Sequence, residues 1–128
     1  MDRNAILEYL GADWQATQDL MKFALASDIS LLNAPNASLL GRAGKQLRPM
    51  LSLVMAKACG GEKVTQSSIC YAVASELLHN ATLLHDDVVD GSALRRGAPT
   101  VASILSGSAS VLIGDFWLSR AVDVLLGA

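Results

Sequence analysis

Three aspartates in one short stretch, Asp86, Asp87 and Asp90, are the residues of this sequence whose types and spacing best suit chemistry. They follow His79 along a stretch that otherwise reads as a buried helix. Carboxylate oxygens are the ligands that Mg²⁺ prefers, and substrate phosphates usually complete its coordination shell. The aspartate stretch therefore predicts a magnesium site that accepts a phosphate-bearing ligand.

Helical geometry places the histidine and the aspartates on one side of that helix. At about 100° per residue, and with His79 at zero, Asp86 falls at about −20° and Asp90 at about +20°. Asp87 falls at about +80°. The carboxylates gather at the carboxyl end of the helix, where the helix dipole disfavours anions and a cation would relieve their repulsion. A solvated face of an amphipathic helix is the alternative interpretation.

The opposite face of the same helix is an apolar stripe, formed by Val73, Leu77, Ala81, Leu84 and Val88. His85 points away from His79 on the same angular count, so it is expected to pack or to support the site indirectly. The stripe predicts a helix that buries one side in the core and presents the other to a ligand.

Two pairs of cations flank the aspartates in the sequence. Lys45 and Arg48 are three residues apart, just ahead of a predicted helix, so both could face an anion at its entrance. Arg95 and Arg96 follow the aspartates in a segment punctuated by glycine and proline. Arginine forks suit phosphate oxygens, and acid beside base at this density favours a metal and a phosphate held together. Solvated surface cations are the alternative for both pairs.

The elements that must position these residues are predicted to be α-helices throughout, since no strand-like alternation persists. Asp13 is expected to cap a helix over residues 14–26. A break is expected over residues 33–36, where Pro35 lies. The sequence thus predicts an all-α fold.

The two helices nearest the charged residues have recognisable ends. Pro49 fits the first turn of a helix that continues to Cys59, ahead of two glycines. Thr65 can cap a helix over residues 66–90, and Gly91 can stop it. These signals place the aspartates in the last turns of a long helix.

The remaining segments are less clearly marked. Residues 93–100 are expected to form a loop, and a last helix should begin near residue 107 or 108 and run to the end. The apolar face over residues 121–126 has no later partner in the chain. We therefore expect either the N-terminal part of something longer or a face buried against another chain.

Composition sets the outer limits. The 128 residues, 52% of them apolar, suit one domain over 1–128 with a real core, and the net charge of −2 gives no global reason to expect nucleic acid. No stretch approaches the roughly 18 unbroken apolar residues of a membrane span. No signal peptide is expected, because no apolar run follows a basic start. A cytosolic, non-membrane-spanning protein is expected. Cys59 and Cys70 are predicted to be reduced, buried and structural.

Six short segments together resemble one family over residues 44–121. They are Gly44-Lys45-x-x-Arg48-Pro49, Glu76-x-x-His79, Asp86-Asp87-x-x-Asp90, Arg95-Arg96-Gly97, Pro99-Thr100 and Gly114-Asp115-Phe116. In this order and spacing they resemble the trans-isoprenyl (polyprenyl) diphosphate synthases. The resemblance implies an all-α helical bundle of the isoprenoid-synthase type around a central cavity, of which this chain supplies about the first half.

The resemblance also implies roles for individual residues. It identifies Asp86, Asp87 and Asp90 as the catalytic motif that binds Mg²⁺ and, through it, the allylic diphosphate. Arg95 is implied to contact that diphosphate. The residues implied to hold isopentenyl diphosphate are Lys45, Arg48, His79 and Arg96. The implied reaction ionises the allylic diphosphate, whose cation the double bond of isopentenyl diphosphate attacks before a proton is lost.

Product length and assembly follow from the resemblance alone. The positions five and four residues before the first aspartate often form the floor of the elongation pocket in the family, and here they are Ala81 and Thr82. The small Ala81 indicates a long-chain product of the kind used for quinone side chains. A homodimer is implied as well.

The sequence departs from the family in several respects. Ala43 and Gln46 stand where a glycine and a basic residue are common, and no second aspartate-rich motif follows Asp90. Family members are also much longer. The isolated chain is therefore expected to be inactive, although the parent protein is expected to be a trans-prenyltransferase.

Two other functions remain open. The first is a non-catalytic subunit or remnant that binds diphosphate or a partner synthase. The second is a terpene cyclase, although a cyclase has no second substrate for the isopentenyl-diphosphate residues to hold. Asp115 fits either the family pattern or a helix start. Trp14 and Trp117 are expected in the core.

Overall fold

The fold is built of helices. A computed structural model describes residues 2–41, 46–91, 94–95, 98–99 and 107–128. The helices within these ranges are α1 (Arg3–Leu10), α2 (Ala12–Leu25), α3 (Asn33–Gly41), α4 (Leu47–Cys59), α5 (Gln66–Asp90) and α6 (Gly107–Leu126), with a 3₁₀ turn at Ser30–Leu32. The predicted all-α class is confirmed.

One small departure lies in the expected loop over residues 93–100. Two-residue strands β1 (Leu94–Arg95) and β2 (Ala98–Pro99) pair antiparallel there, with Leu94 opposite Pro99. Strands this short leave no alternation for a sequence pattern to show. The pairing turns the chain back on itself between α5 and α6.

The long helix α5 has the predicted ends. At its start the Thr65 hydroxyl accepts a hydrogen bond from the backbone N–H of Ser68 at 3.1 Å, as an N-cap should. At its end Gly91 adopts φ +66°, and its N–H donates to the carbonyl of Asp87. Local signals at both ends therefore set the position of the aspartates within the fold.

Helix α4 and the last helix also follow the sequence. Pro49 lies in the first turn of α4, where its missing N–H costs no helical hydrogen bond, and the Gly60 N–H donates to the carbonyl of Ala56 at 2.8 Å. Helix α6 begins at Gly107, as expected. The two predictions are confirmed.

The predicted start of α2 was wrong. Gly11, with φ +51°, ends α1 and precedes α2, so Asp13 lies inside the first turn and does not cap it. Glycine alone reaches this backbone conformation without strain, which is why the boundary falls there. The carbonyl of Asp13 instead accepts a hydrogen bond from the Thr17 hydroxyl at 2.9 Å.

The predicted break over residues 33–36 was also wrong, because α3 begins there. Pro35 occupies its first turn, where proline is tolerated. The Asn36 amide donates to the carbonyl of Leu25 at 2.8 Å, and its oxygen accepts from the indole of Trp117 at 2.8 Å. Asn36 thus ties α3 to the end of α2 and to α6, a tertiary role that local turn signals cannot reveal.

The core lies around the middle of α5. Its apolar stripe packs against α6 and α2, and a second apolar cluster joins α5 to α1 and α4. Trp117 is buried in the first cluster, and Trp14 packs partly buried against the second. Each fully buried large side chain contributes about 1.5–3 kcal/mol, so this packing holds α5 in place.

The two cysteines differ in burial. Cys70 is buried in the core, as predicted, whereas Cys59 is exposed at the last position of α4, beside the turn that Gly60 begins. Both are free thiols. Within the described parts of the chain, no helix is both long enough and apolar enough to cross a bilayer.

Candidate functional site

The carboxyl end of α5 presents two of the three aspartates to solvent. Asp86 and Asp90 are exposed and lie four residues apart, on one face of the helix. Asp87 is 5% exposed and turns toward the protein. The single acidic face expected from the angular count therefore divides into an open pair and one buried carboxylate.

The donor chemistry fits a divalent cation in one particular way. Among the residues that the structure describes, no group of three or more His, Cys, Asp or Glu side chains is arranged to hold a metal. Mg²⁺ is commonly held by one or two carboxylates together with substrate phosphates, without an all-protein cage. Asp86 and Asp90 supply such an open pair of hard oxygen ligands. Metal binding at all three aspartates remains a prediction.

Further polar residues lie on α5, on the N-terminal side of the aspartates. Glu76 is 4% exposed, and the Asn80 amide donates to its Oε1 at 3.1 Å and to its carbonyl at 2.8 Å. His79 is half-buried one turn nearer the aspartates, and its carbonyl accepts from the Thr82 hydroxyl at 2.8 Å. Glu76 and His79 thus share the side of α5 that leads to the exposed pair.

His85 joins the acidic end of α5 to α6. Its Nε2 lies 3.1 Å from the carbonyl of Val111 and 3.3 Å from Oδ1 of Asp115. Both neighbours are acceptors, so the proton of the ring belongs on Nε2. The expected packing role of His85 is thereby confirmed.

Two neighbouring residues of α6, Gly114 and Asp115, contact the His85 ring. Asp115 lies in the interior of α6, so the helix-start alternative is wrong. The ring of His85 is so close to Gly114 that a Cβ built there would lie 2.3 Å from Nε2. Glycine at position 114 therefore leaves room for the His85 ring between α5 and α6 at the level of the aspartates.

The predicted cationic residues are only partly described. Arg48 is exposed in the first turn of α4. The backbone of Arg95 lies in β1, opposite Ala98. Lys45 and Arg96 fall outside the described residues. The roles of all four as substrate ligands, and that of His79, stay predictions.

Sequence reasoning missed an amide pair beside Arg48. Gln46, the residue before α4, is buried at 8% exposure and adopts φ +46°. Its amide and that of Gln18 on α2 exchange two hydrogen bonds, at 2.7 and 3.2 Å. The partners are 28 positions apart in the sequence, so no local pattern could have indicated the contact.

The described part of the chain is thus an all-α protein whose longest helix ends in spaced aspartates, with an arginine in the first turn of a neighbouring helix. A sequence model described as polyprenyl synthetase matches residues 29–127. The chain belongs to the polyprenyl synthetase family.

Individual relatives agree with this assignment. The chain is 36% identical to an all-trans-nonaprenyl-diphosphate synthase (geranyl-diphosphate specific) of Rhodobacter capsulatus, over 94% of this chain and 37% of that protein. It is likewise 36% identical to the octaprenyl diphosphate synthase of Escherichia coli, over 98% of this chain and 38% of the relative.

Solved structures show the same fold. A polyprenyl synthase from Caulobacter crescentus, complexed with calcium and isoprenyl diphosphate, superposes with a TM-score of 0.87 at 35% identity. A decaprenyl diphosphate synthase from Rhodobacter capsulatus gives 0.87 at 33% identity. Each match covers 98% of this chain and 38% of the other. The chain thus spans less than two fifths of the length of these relatives.

Proposed function

We propose that this chain is the first substrate-binding part of a long-chain polyprenyl diphosphate synthase. The whole protein would condense isopentenyl diphosphate with an allylic diphosphate in a Mg²⁺-dependent prenyl transfer. The observation that carries the proposal is the exposed pair Asp86 and Asp90 at the end of α5, in a chain of the polyprenyl synthetase family. The cytosolic location remains a prediction.

The residues would divide the work between two diphosphates. Asp86 and Asp90 would hold Mg²⁺, with Asp87 predicted to complete the motif, and the metal would stabilise charge that develops on the leaving diphosphate. Arg95 would bind the same diphosphate. The residues proposed to hold isopentenyl diphosphate are Lys45, Arg48, His79 and Arg96.

The proposed reaction is the prenyl transfer that the family resemblance implies. The carbon–oxygen bond of the allylic diphosphate breaks, and the diphosphate leaves with the electron pair. The double bond of isopentenyl diphosphate attacks the allylic cation and forms the new carbon–carbon bond, after which a proton is lost. Water must be excluded while the cation exists, because it would otherwise quench the cation.

The long-chain product rests on the relatives, whose names specify octaprenyl and nonaprenyl products. Ala81 is buried in the core cluster around α5, whereas Thr82 is exposed, so the two positions predicted to limit product length face different surroundings. Neither position carries a large side chain, as the long-chain proposal requires.

A homodimer belongs to the same proposal. Helix α6 exposes Leu118, Val122 and Leu126 on one face. Exposed apolar residues grouped on one face commonly mark a contact with further protein. The association would cover side chains that the chain by itself leaves open to water.

Binding of Mg²⁺ and inorganic pyrophosphate tests the site directly. We expect Asp86→Asn and Asp90→Asn each to weaken Mg²⁺-dependent pyrophosphate binding roughly tenfold, or about 1.4 kcal/mol, because each removes a charged oxygen ligand. Isothermal titration calorimetry on the 128-residue chain provides the measurement. Asp28→Asn, an exposed aspartate away from α5, is the control and should bind as the unaltered chain does.

Unchanged binding in both α5 variants would refute the site. A second assay supplies farnesyl diphosphate, isopentenyl diphosphate and Mg²⁺ to the same chain. No product is expected, because the chain spans less than two fifths of its relatives. Turnover by the 128-residue chain would contradict the proposal that residues beyond it complete the active site.

The two alternatives give different results in calorimetry with isopentenyl diphosphate. A synthase should bind isopentenyl diphosphate and lose affinity on Arg48→Ala, whereas a terpene cyclase should do neither. A non-catalytic subunit would bind diphosphate but would yield no product even within its complete parent protein.

A further inference from the structure

The backbone at the start of α4 is held in an unusual conformation. Gln46 has φ +46° and ψ +49°, the left-handed region that side chains other than glycine rarely adopt. Among the described residues, Glu62 is the other non-glycine with positive φ. Strain of this kind persists only where surrounding contacts enforce it, and it concentrates at functional sites.

A side-chain contact with α2 accompanies this conformation. The Gln18 amide donates to Oε1 of Gln46 at 2.7 Å, and the Gln46 amide donates back to Gln18 at 3.2 Å. Gln46 is 8% exposed, so this exchange satisfies polar atoms that water cannot reach freely. Its backbone carbonyl meanwhile accepts from the Met50 N–H at 3.1 Å and so begins the hydrogen bonding of α4.

The position of the pair gives it a consequence for ligand binding. Arg48 follows Gln46 by two residues and is exposed, so the direction in which α4 starts determines where its guanidinium can reach. The Gln46 amide faces α2, where its oxygen accepts one hydrogen bond from Gln18 and one of its N–H groups donates another. The pair therefore ties the entrance of α4 to α2.

We propose that Gln18 and Gln46 form a positioning pair that presents Arg48 to a diphosphate. The proposal rests on the function proposed above, because it assigns Arg48 a diphosphate ligand. Gln18 would contribute to affinity although it touches no substrate, since it fixes the turn from which Arg48 projects.

A double-mutant cycle separates positioning from a purely structural tie. Gln18→Met keeps a similar shape but removes the hydrogen bonds, and Arg48→Ala removes the proposed ligand. We expect Gln18→Met to weaken isopentenyl diphosphate binding roughly fivefold to tenfold, and to have no further effect once Arg48 is alanine. Calorimetry on the 128-residue chain is done well below each variant's thermal unfolding transition.

Gln15→Met is the matched control. Gln15 lies on the same helix, is exposed and donates to Asp19 within that helix, so its loss should leave binding unchanged. Should Gln18→Met fail to fold, Gln46→Gly replaces it, because glycine accepts the positive φ but lacks the amide. The same loss of affinity is expected from that variant.

Two results would overturn the inference. Binding by Gln18→Met equal to that of the unaltered chain would do so, and so would an equal loss in the presence and absence of Arg48. If Arg48→Ala weakens binding but Gln18→Met does not, the proposed function stands and only the positioning role fails. If the unaltered chain binds no isopentenyl diphosphate, the proposed function fails and takes this inference with it.

Discussion

At the scale of single residues, the contact between His85 and Gly114 makes the sharpest demand on side-chain size. A Cβ at position 114 would lie 2.3 Å from the His85 ring, so Gly114→Ala must either displace the ring from its contacts with Val111 and Asp115 or push α5 and α6 apart. We expect a loss of about 1–3 kcal/mol in the free energy of unfolding, the usual cost of overpacking, measured by urea denaturation.

Gly107→Ala is the control for this substitution. A Cβ there would meet Val88 at 3.6 Å, an ordinary contact, so stability should change little. Truncating the ring should also relieve the clash, so Gly114→Ala should cost much less in a His85→Ala background. An equal cost in both backgrounds would show that the ring is not the obstacle.

The Tyr9 hydroxyl provides a prediction of pH dependence. It donates a hydrogen bond to the Glu62 carboxylate, and this bond, followed by partial burial and the negative charge of Glu62, raises the pKa of Tyr9 above its usual value of about 10. The neutral phenol is the favoured form, so the stabilisation is complete below pH 10 and is lost as pH rises through the folded pKa.

We expect Glu62→Gln to return the pKa of Tyr9 toward its usual value, because the charged acceptor is gone. Tyrosinate absorbance followed against pH measures it, in a Tyr71→Phe background that leaves Tyr9 as the one tyrosine. An identical titration with and without the Glu62 carboxylate would refute the assignment.

At the scale of the element, the end of α5 depends on one backbone conformation. Gly91 has φ +66°, and L-residues other than asparagine and aspartate pay about 1–2 kcal/mol there. We expect Gly91→Ala to lower the free energy of unfolding by about that amount, and Gly91→Asn by less. Gly41→Ala, at a helix end without positive φ, is the control.

The same substitution should reach the site. Asp87 and Asp90 lie in the last turn that Gly91 closes, so fraying should also weaken Mg²⁺-dependent pyrophosphate binding. Hydrogen exchange of the amides at the end of α5 would reveal the fraying. Faster exchange confined to other helices would contradict this account.

The helices also show what the sequence could predict. Thr65 and Gly91 are local signals with a physical cause, and they located α5 correctly. Gly11 and Pro35 are equally local, but each allows two outcomes, since glycine can stop a helix or begin the next, and proline can break a helix or start one. At Pro35 a helix starts, and the neighbouring Asn36 makes a tertiary contact with Trp117 that no local signal shows.

The candidate site likewise has features that the sequence predicts and features that it does not. Spacing identified Asp86 and Asp90 as a pair on one face, because helical geometry is local. Burial of Asp87 and the pairing of Gln18 with Gln46 depend on the packing of distant helices. No pattern within one segment encodes such contacts, so they could be found only in the folded protein.

At the scale of the whole molecule, the apolar residues of α6 remain in water. Val122 and Leu126 are exposed one turn apart, which favours association of the chain at high concentration. We expect Val122→Lys with Leu126→Lys to abolish concentration-dependent sedimentation without loss of stability, because neither side chain supports the described core. Analytical ultracentrifugation and urea denaturation would measure these effects.

Phe23→Lys is the matched control. Phe23 is 80% exposed on α2, on a different helix from the proposed surface, so its replacement should leave sedimentation unchanged. Association that persists after the α6 substitutions, or that disappears with Phe23→Lys, would show that the association surface does not lie on α6.

Because one thiol is exposed and the other is buried, the chain can be labelled at a single position. Under native conditions a maleimide dye should couple to Cys59 and spare Cys70, so one fluorophore could be attached without engineering the chain. Cys59 ends α4, and Arg48 lies in the first turn of the same helix. If an anion that binds at Arg48 tilts α4 as a rigid body, the surroundings of a dye at the other end of the helix should change. The fluorescence of that dye would then report anion binding.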